Sequence, residues 1–137
     1  MKTKRFFLKK LSTKHANANY LSWFNNDDVK KFILAAKNKI NLDELKKFIK
    51  DNNSKKNTLL FGIFSKSQKH IGNIKFDEID KKNNSVFLGI LIGDLSYRRK
   101  GVATEIINFF SKYFYLQYNI SNILLGVDKK NLIAIKT

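Results

Sequence analysis

The order of apolar and polar residues divides the chain into short segments with different periods. Arg5 to Leu11 (RFFLKKL) is apolar enough for a strand, and Ala16 to Phe24 and Asp28 to Ala36 have the spacing of two short helices. A further helix is better marked at its start. Asn41 stands where an N-cap belongs, Glu44 completes a capping box, and Leu42, Leu45, Phe48 and Ile49 share one helical face before DNNSKKN ends the run.

Three strand-like runs follow: Thr58 to Ser65 (TLLFGIFS), His70 to Ile79 (HIGNIKFDEI) and Ser85 to Gly93 (SVFLGILIG). The polar turns KSQK and DKKNN between them are too short for a crossover, so these runs predict an antiparallel meander. From Gly101 to Gln117, Val102, Ile106, Phe109, Phe110 and Phe114 recur at helical spacing, and Ile120 to Val127 (ISNILLGV) reads as a buried strand. Strand, helix, strand in that order predicts a parallel crossover. The expected fold class is therefore α+β, a mixed and mainly antiparallel central sheet flanked by helices, in a single domain covering residues 1–137.

Composition narrows this picture. With 137 residues, 43% of them hydrophobic, the chain can bury one core, and it has no proline, flexible linker or repeat to mark a second domain. It has no cysteine, which excludes disulfides, thiolate metal sites and a cysteine nucleophile. His15 and His70 are the sole imidazoles, so no metal is expected. No run approaches the roughly 18 apolar residues of a membrane span, and MKTKRFFLKKL lacks a signal-peptide pattern, so a cytoplasmic location without a membrane partner is expected.

The formal charge of +16 suits a polyanionic partner, and a basic nucleic-acid-binding protein is the reading from a different class. Lysine supplies nearly all of that charge, however, while arginine, the better reader of bases and phosphates, occurs only at Arg5, Arg98 and Arg99. No RNP-like, KH or helix-turn-helix signature accompanies it, and biased base composition of the source genome explains the lysines equally well.

Three cations stand in a row in GDLSYRRKGVATE, Gly93 to Glu105, which joins a strand to the start of a helix. A helix start offers unpaired N–H groups and the positive end of the dipole, so it suits an anion. Gly101 allows close approach of the main chain, small Ala103 leaves room, and Arg98, Arg99 and Lys100 add charge-assisted contacts.

Arg98-Arg99-Lys100-Gly101-Val102-Ala103 resembles R/Q-x-x-G-x-G/A, the acyl-CoA signature of the GNAT N-acetyltransferases. Tyr20-Leu21-Ser22-Trp23-Phe24-Asn25-Asn26 with Val29 is similar to the YLSWLND-x-x-V opening of the branch that includes ribosomal-protein and amino-sugar acetyltransferases. His70 to Lys75 (HIGNIK), Gly89 to Asp94 (GILIGD), and Gly126-Val127 with Asn131 and Ala134-Ile135 resemble that branch's third strand, fourth strand, and fifth strand with its following helix. The resemblance runs through the whole chain in order and implies a GNAT-like sheet.

It further implies acetyl transfer from acetyl-CoA to an amine by direct attack. The CoA phosphates would lie on Arg98 to Thr104, that is Arg98, Arg99, Lys100, Gly101, Val102, Ala103 and Thr104. The pantetheine arm would pair with Leu91, Ile92 and Gly93, beside a bulge near Gly93 and Asp94 that splays the fourth and fifth strands. The acetyl carbonyl would accept an N–H near Leu91, and Asn131 would bond the CoA arm unless it is simply a helix cap.

Many relatives carry a glutamate as base where this chain has Leu88, which leaves Asp77 and Glu78, acting through a water, or His70. A strand-end carboxylate is more often plainly solvated, and a lone histidine more often structural. Trp23 and Tyr20, with His70, are the candidates to line an acceptor pocket, the alternative being that they pack in the core.

The acceptor expected is a small primary amine, foremost an amino sugar in surface-polysaccharide synthesis, with a ribosomal protein's amino terminus as the sister reading. The resemblance leaves a homodimer open. The family pattern continues past Thr137 with a tyrosine acid and two closing strands, so the chain is expected to be a truncated copy, and an inactive CoA-binding remnant is a further alternative.

Overall fold

The computed structural model describes residues 1–25 and 41–125. Five strands form one sheet in the order β1-β2-β3-β4-β5: β1 Phe6–Lys10, β2 Leu59–Ser65, β3 His70–Asp80, β4 Ser85–Ile92 and β5 Asn122–Leu125. The first four pair antiparallel with their neighbours, as the short KSQK and DKKNN turns require for β2, β3 and β4, and β5 joins β4 in parallel after a helical crossover. That crossover helix, α3, is Val102–Tyr118.

Each face of the sheet carries its own cluster of side chains. On one face Phe6, Leu8, Phe61, Ile63, Ile74, Phe76, Val86 and Leu88 pack against Val102, Ile106, Phe110 and Phe114 of α3. On the other, Leu60, Phe64 and Leu91 meet α1 (Ala18–Ser22) and α2 (Leu42–Ser54) through Tyr20, Trp23, Leu45 and Ile49. Strand side chains alternate between the faces, so one strand supplies both clusters.

Helix ends follow the local sequence. Asn41 caps α2, its Oδ1 accepting the N–H of Glu44 at 2.8 Å while Glu44 reaches back to the Asn41 N–H. Asn119, at φ 54°, ends α3 in the left-handed conformation, with the N–H of Ile120 bonded to the Phe114 carbonyl at 3.1 Å. That turn claims Ile120 and Ser121, so β5 begins at Asn122 rather than Ile120.

Within the helix expected over Ala16 to Phe24, α1 spans only Ala18–Ser22 and gives way to a 3-10 turn at Trp23–Asn25, while another 3-10 turn, Thr13–His15, lies just before it. Asn17 sets the later start, since its Oδ1 takes the Tyr20 N–H at 3.0 Å and caps the helix that follows it. The helix expected over Asp28 to Ala36 lies outside the described residues.

Candidate active site

The junction of β4 with α3 is built from two irregularities. At the first, the N–H groups of Gly93 and Asp94 both donate to the Ile71 carbonyl, at 2.9 and 3.0 Å, so two residues of one strand oppose one of its neighbour. This is a β-bulge, and it ends β4. Trp23 lies directly over it. A Cβ on Gly93 would stand 2.0 Å from Trp23 Cδ2, so this position accepts no side chain while the indole is there. Asp94 is fastened by the Lys69 ammonium at 2.9 Å and accepts the Ser96 N–H at 3.0 Å. Its partial burial alone would raise its pKa, but those bonds outweigh burial and hold it below the ordinary carboxylate value.

The second irregularity is the start of α3. Gly101 has φ 73°, and no side chain caps the helix. The first intrahelical bond of this turn runs from the Glu105 N–H to the Gly101 carbonyl at 3.1 Å, so the N–H groups of Val102, Ala103 and Thr104 have no partner among the described residues. A left-handed residue followed by helical ones turns successive N–H groups into one concavity, a nest for an anion. Arg99, at φ 59°, and Lys100 are exposed beside it, and the Arg98 Nε donates to the Ile92 carbonyl at 3.4 Å. Uncapped donors, a glycine without a Cβ and flanking cations fit the diphosphate of CoA.

The ladder decides which backbone groups of β4 face outward. Gly93 bonds to Ile71 and Leu91 pairs with Asn73, so by antiparallel alternation Leu91 turns its N–H and C=O toward β3. Ile90 and Ile92 turn theirs away from it. The Arg98 bond to the Ile92 carbonyl agrees with this assignment. The expectation of a carbonyl-binding N–H near Leu91 therefore moves to its neighbours Ile90 and Ile92. Among the described residues β5 pairs only with Ser85 to Leu88, which leaves Gly89 to Ile92 with β3 as their one partner.

Side-chain parity corrects a second expectation. Leu88 is fully buried against α3, so its side chain is on the face away from α1 and α2. Phe87 is the residue on the open face, 36% exposed and directly across from Asp77. Gly89 follows on the same face with no atom within 4 Å of where a Cβ would stand. Lys75, the cross-strand partner of Gly89, bonds Asp77 Oδ2 at 3.1 Å, and Thr58 donates to Asp77 Oδ1 at 3.0 Å. Asp77 also lines an open cleft of about 1090 Å³ with exposed Glu78, Lys55 and Lys56 and half-buried Tyr118. Register sets these acids apart from Leu91, since Asp77 sits four residues along β3 from Asn73, about 13 Å at strand rise.

Tyr20, Trp23 and His70 do come together, but in the interior, at 0%, 4% and 5% exposure. His70 Nε2 meets Asn73 Oδ1 at 2.6 Å, and Asn73 Nδ2 donates to the Tyr20 hydroxyl at 2.6 Å. The Asn19 amide adds a bond to the His70 carbonyl at 3.0 Å. Burial is the main cause that lowers the His70 pKa to about 4, and burial likewise raises the Tyr20 hydroxyl. The cluster holds α1 and Trp23 to the sheet. Asn131 lies outside the described residues.

One residue at the cradle was not singled out from the sequence. Arg5 is held by Glu105, its Nε to Oε1 at 2.6 Å and its N–H to Oε2 at 2.9 Å, with the Thr3 hydroxyl on the same carboxylate. Its Nη2 lies 3.7 Å from where a Gly101 Cβ would stand. The available signal was the scarcity of arginine in so lysine-rich a chain.

A sequence profile of the acetyltransferase (GNAT) domain family matches residues 5–136. Among curated proteins none matches the chain significantly. A spermidine N-acetyltransferase from Vibrio cholerae, solved with CoA and spermine, is 21% identical at a TM-score of 0.73, covering 92% of this chain and 73% of its own. A ribosomal-protein alpha-N-acetyltransferase solved with coenzyme A is 16% identical at a TM-score of 0.77, covering 93% of this chain and 75% of its own.

Proposed function

Because the chain belongs to the GNAT acetyltransferase family, it is an acetyl-CoA-dependent N-acetyltransferase, and we propose that its acceptor is the primary amine of an amino sugar carrying negative charge. The uncapped start of α3 beside the Gly93–Asp94 bulge is the observation that carries acetyl-CoA binding here. Bound there, acetyl-CoA supplies an activated acetyl thioester. Arg98, Arg99, Lys100 and the N–H groups of Val102, Ala103 and Thr104 bind its diphosphate, and the outward backbone of Ile90 and Ile92 orients the rest and polarises the carbonyl.

The acceptor lies on the opposite face, over Phe87 and Gly89. An exposed aromatic ring is a platform for the apolar face of a sugar, and Gly89 leaves room above the strand. Asp77, held by Thr58 and Lys75 and set apart from the carbonyl site by the register of β3, takes the amine proton along a chain of waters rather than through one. Net charge separates the candidate acceptors. A protein of +16 repels polyamines, draws in a sugar bearing phosphate, and favours the uncharged, nucleophilic form of a nearby amine.

A thiol-release assay tests this with a phosphorylated amino sugar, spermidine and a peptide bearing a free amino terminus. The sugar should turn over fastest. Preference for spermidine or for the peptide would overturn the acceptor assignment while leaving the enzyme class in place. In the same assay Asp77→Asn should lower kcat at least tenfold and Glu78→Gln should not, and the reverse result would transfer the role to Glu78.

A further inference from the structure

We infer that Arg5 is a phosphate-binding residue of the acetyl-CoA site, brought to the start of α3 from the other end of the sequence. The proposal rests on the cradle assigned above. The chain contains 27 cationic side chains, of which Arg5, Arg98 and Arg99 alone are arginine, and the fold gathers all three at one helix start. Lysines are spread over the whole surface. The arginines are not, and a planar fork matches phosphate geometry in a way an ammonium cannot.

The position of Arg5 is set on two sides. Glu105, in the first turn of α3, takes the Arg5 Nε at 2.6 Å and its backbone N–H at 2.9 Å. The guanidinium lies 5.2 Å from the Phe6 ring centroid, which restricts its swing. These contacts use the backbone N–H, Nε and the face of the guanidinium, and leave both Nη groups without a hydrogen-bond partner among the described residues. Nη2 points toward Gly101, 3.7 Å from the place its Cβ would take, over the left-handed residue that opens the N–H concavity. Glu105 would itself repel a phosphate. With Arg5 and Thr3 consuming its acceptors, that charge is neutralised and the donors face the ligand.

CoA carries phosphate in two places, the diphosphate and the ribose 3′-phosphate. Arg5 fits either, and truncated ligands distinguish them. Calorimetric titrations would use CoA, dephospho-CoA and pantetheine against the full chain and its Arg5→Ala, Arg5→Lys and Gly101→Trp variants, with a melting curve for each. Arg5→Ala should weaken CoA about tenfold to a hundredfold and leave pantetheine unchanged, and Arg5→Lys should recover only part of the loss.

A loss kept with dephospho-CoA assigns the diphosphate, and a loss that vanishes with it assigns the 3′-phosphate. If Arg5→Ala weakened pantetheine as much as CoA, or bound CoA as tightly as the parent, Arg5 would have a structural role only and the inference would be overturned. Failure of the cradle itself would look different: either the parent would not bind CoA, or Gly101→Trp would bind it unchanged.

Discussion

His70 shows what a buried titratable side chain does to stability. Its pKa is about 4 in the fold against an ordinary 6.5, so between those values the unfolded chain takes up a proton that the native state refuses. Stability should fall as pH drops from 6.5, and the loss should level off below the folded value, at about 3 kcal/mol in total. Urea unfolding at pH 7 and pH 4.5 would measure it, with His70→Gln cancelling most of that slope. Gly93→Ala places a Cβ against the Trp23 ring, and an overpacked change of this kind costs about 1–3 kcal/mol. Since the proposed path of the cofactor arm runs beside the bulge, the KM for acetyl-CoA should rise as well. The sequence shows that Tyr20, Trp23 and His70 share a pattern, but helical spacing gives a face and not what covers it. The displaced family glutamate is a parity matter, because one step along a strand reverses the face, from buried Leu88 to exposed Phe87.

At the scale of elements, capping and turn chemistry were readable because they are local. Glu44 answers Asn41, Gly101 precedes α3, and the polar turns enforce the meander. The later start of the first helix was missed although its cause, Asn17, is equally local, because the apolar spacing on either side continues through it. Asn41→Ala should cost about 1 kcal/mol in a thermal melt. Glu105 ties the first turn of α3 to the residues before β1. Partial burial pushes its pKa up, yet the bonds from Thr3 and Arg5 outweigh that and leave it below the ordinary 4.5. A depressed acid stabilises the fold fully above the ordinary value and loses that contribution as pH falls through the lowered one. Glu105→Gln should therefore be less stable than the parent at pH 7, with the two converging in acid.

For the molecule as a whole, the order of strands and their directions follow from loop lengths and one crossover. Contacts between distant segments do not, and the meeting of Arg5 with Gly101 is the plainest case. Charge also acts at this scale. With +16 spread over a small surface, attraction of acetyl-CoA should be screened by salt, so its KM should rise between 50 mM and 500 mM potassium chloride while kcat changes little. Among the described residues no helix is long and apolar enough to cross a membrane.

The Arg5–Glu105 clamp joins residues separated by 100 positions. As the polypeptide leaves the ribosome, hairpins form one after another, but this closure must await the emergence of α3. With the nucleotide at the proposed cradle, competence to grip it is acquired late in synthesis, and a nascent chain stalled before Gly101 should gain no protection from the ligand however abundant it is.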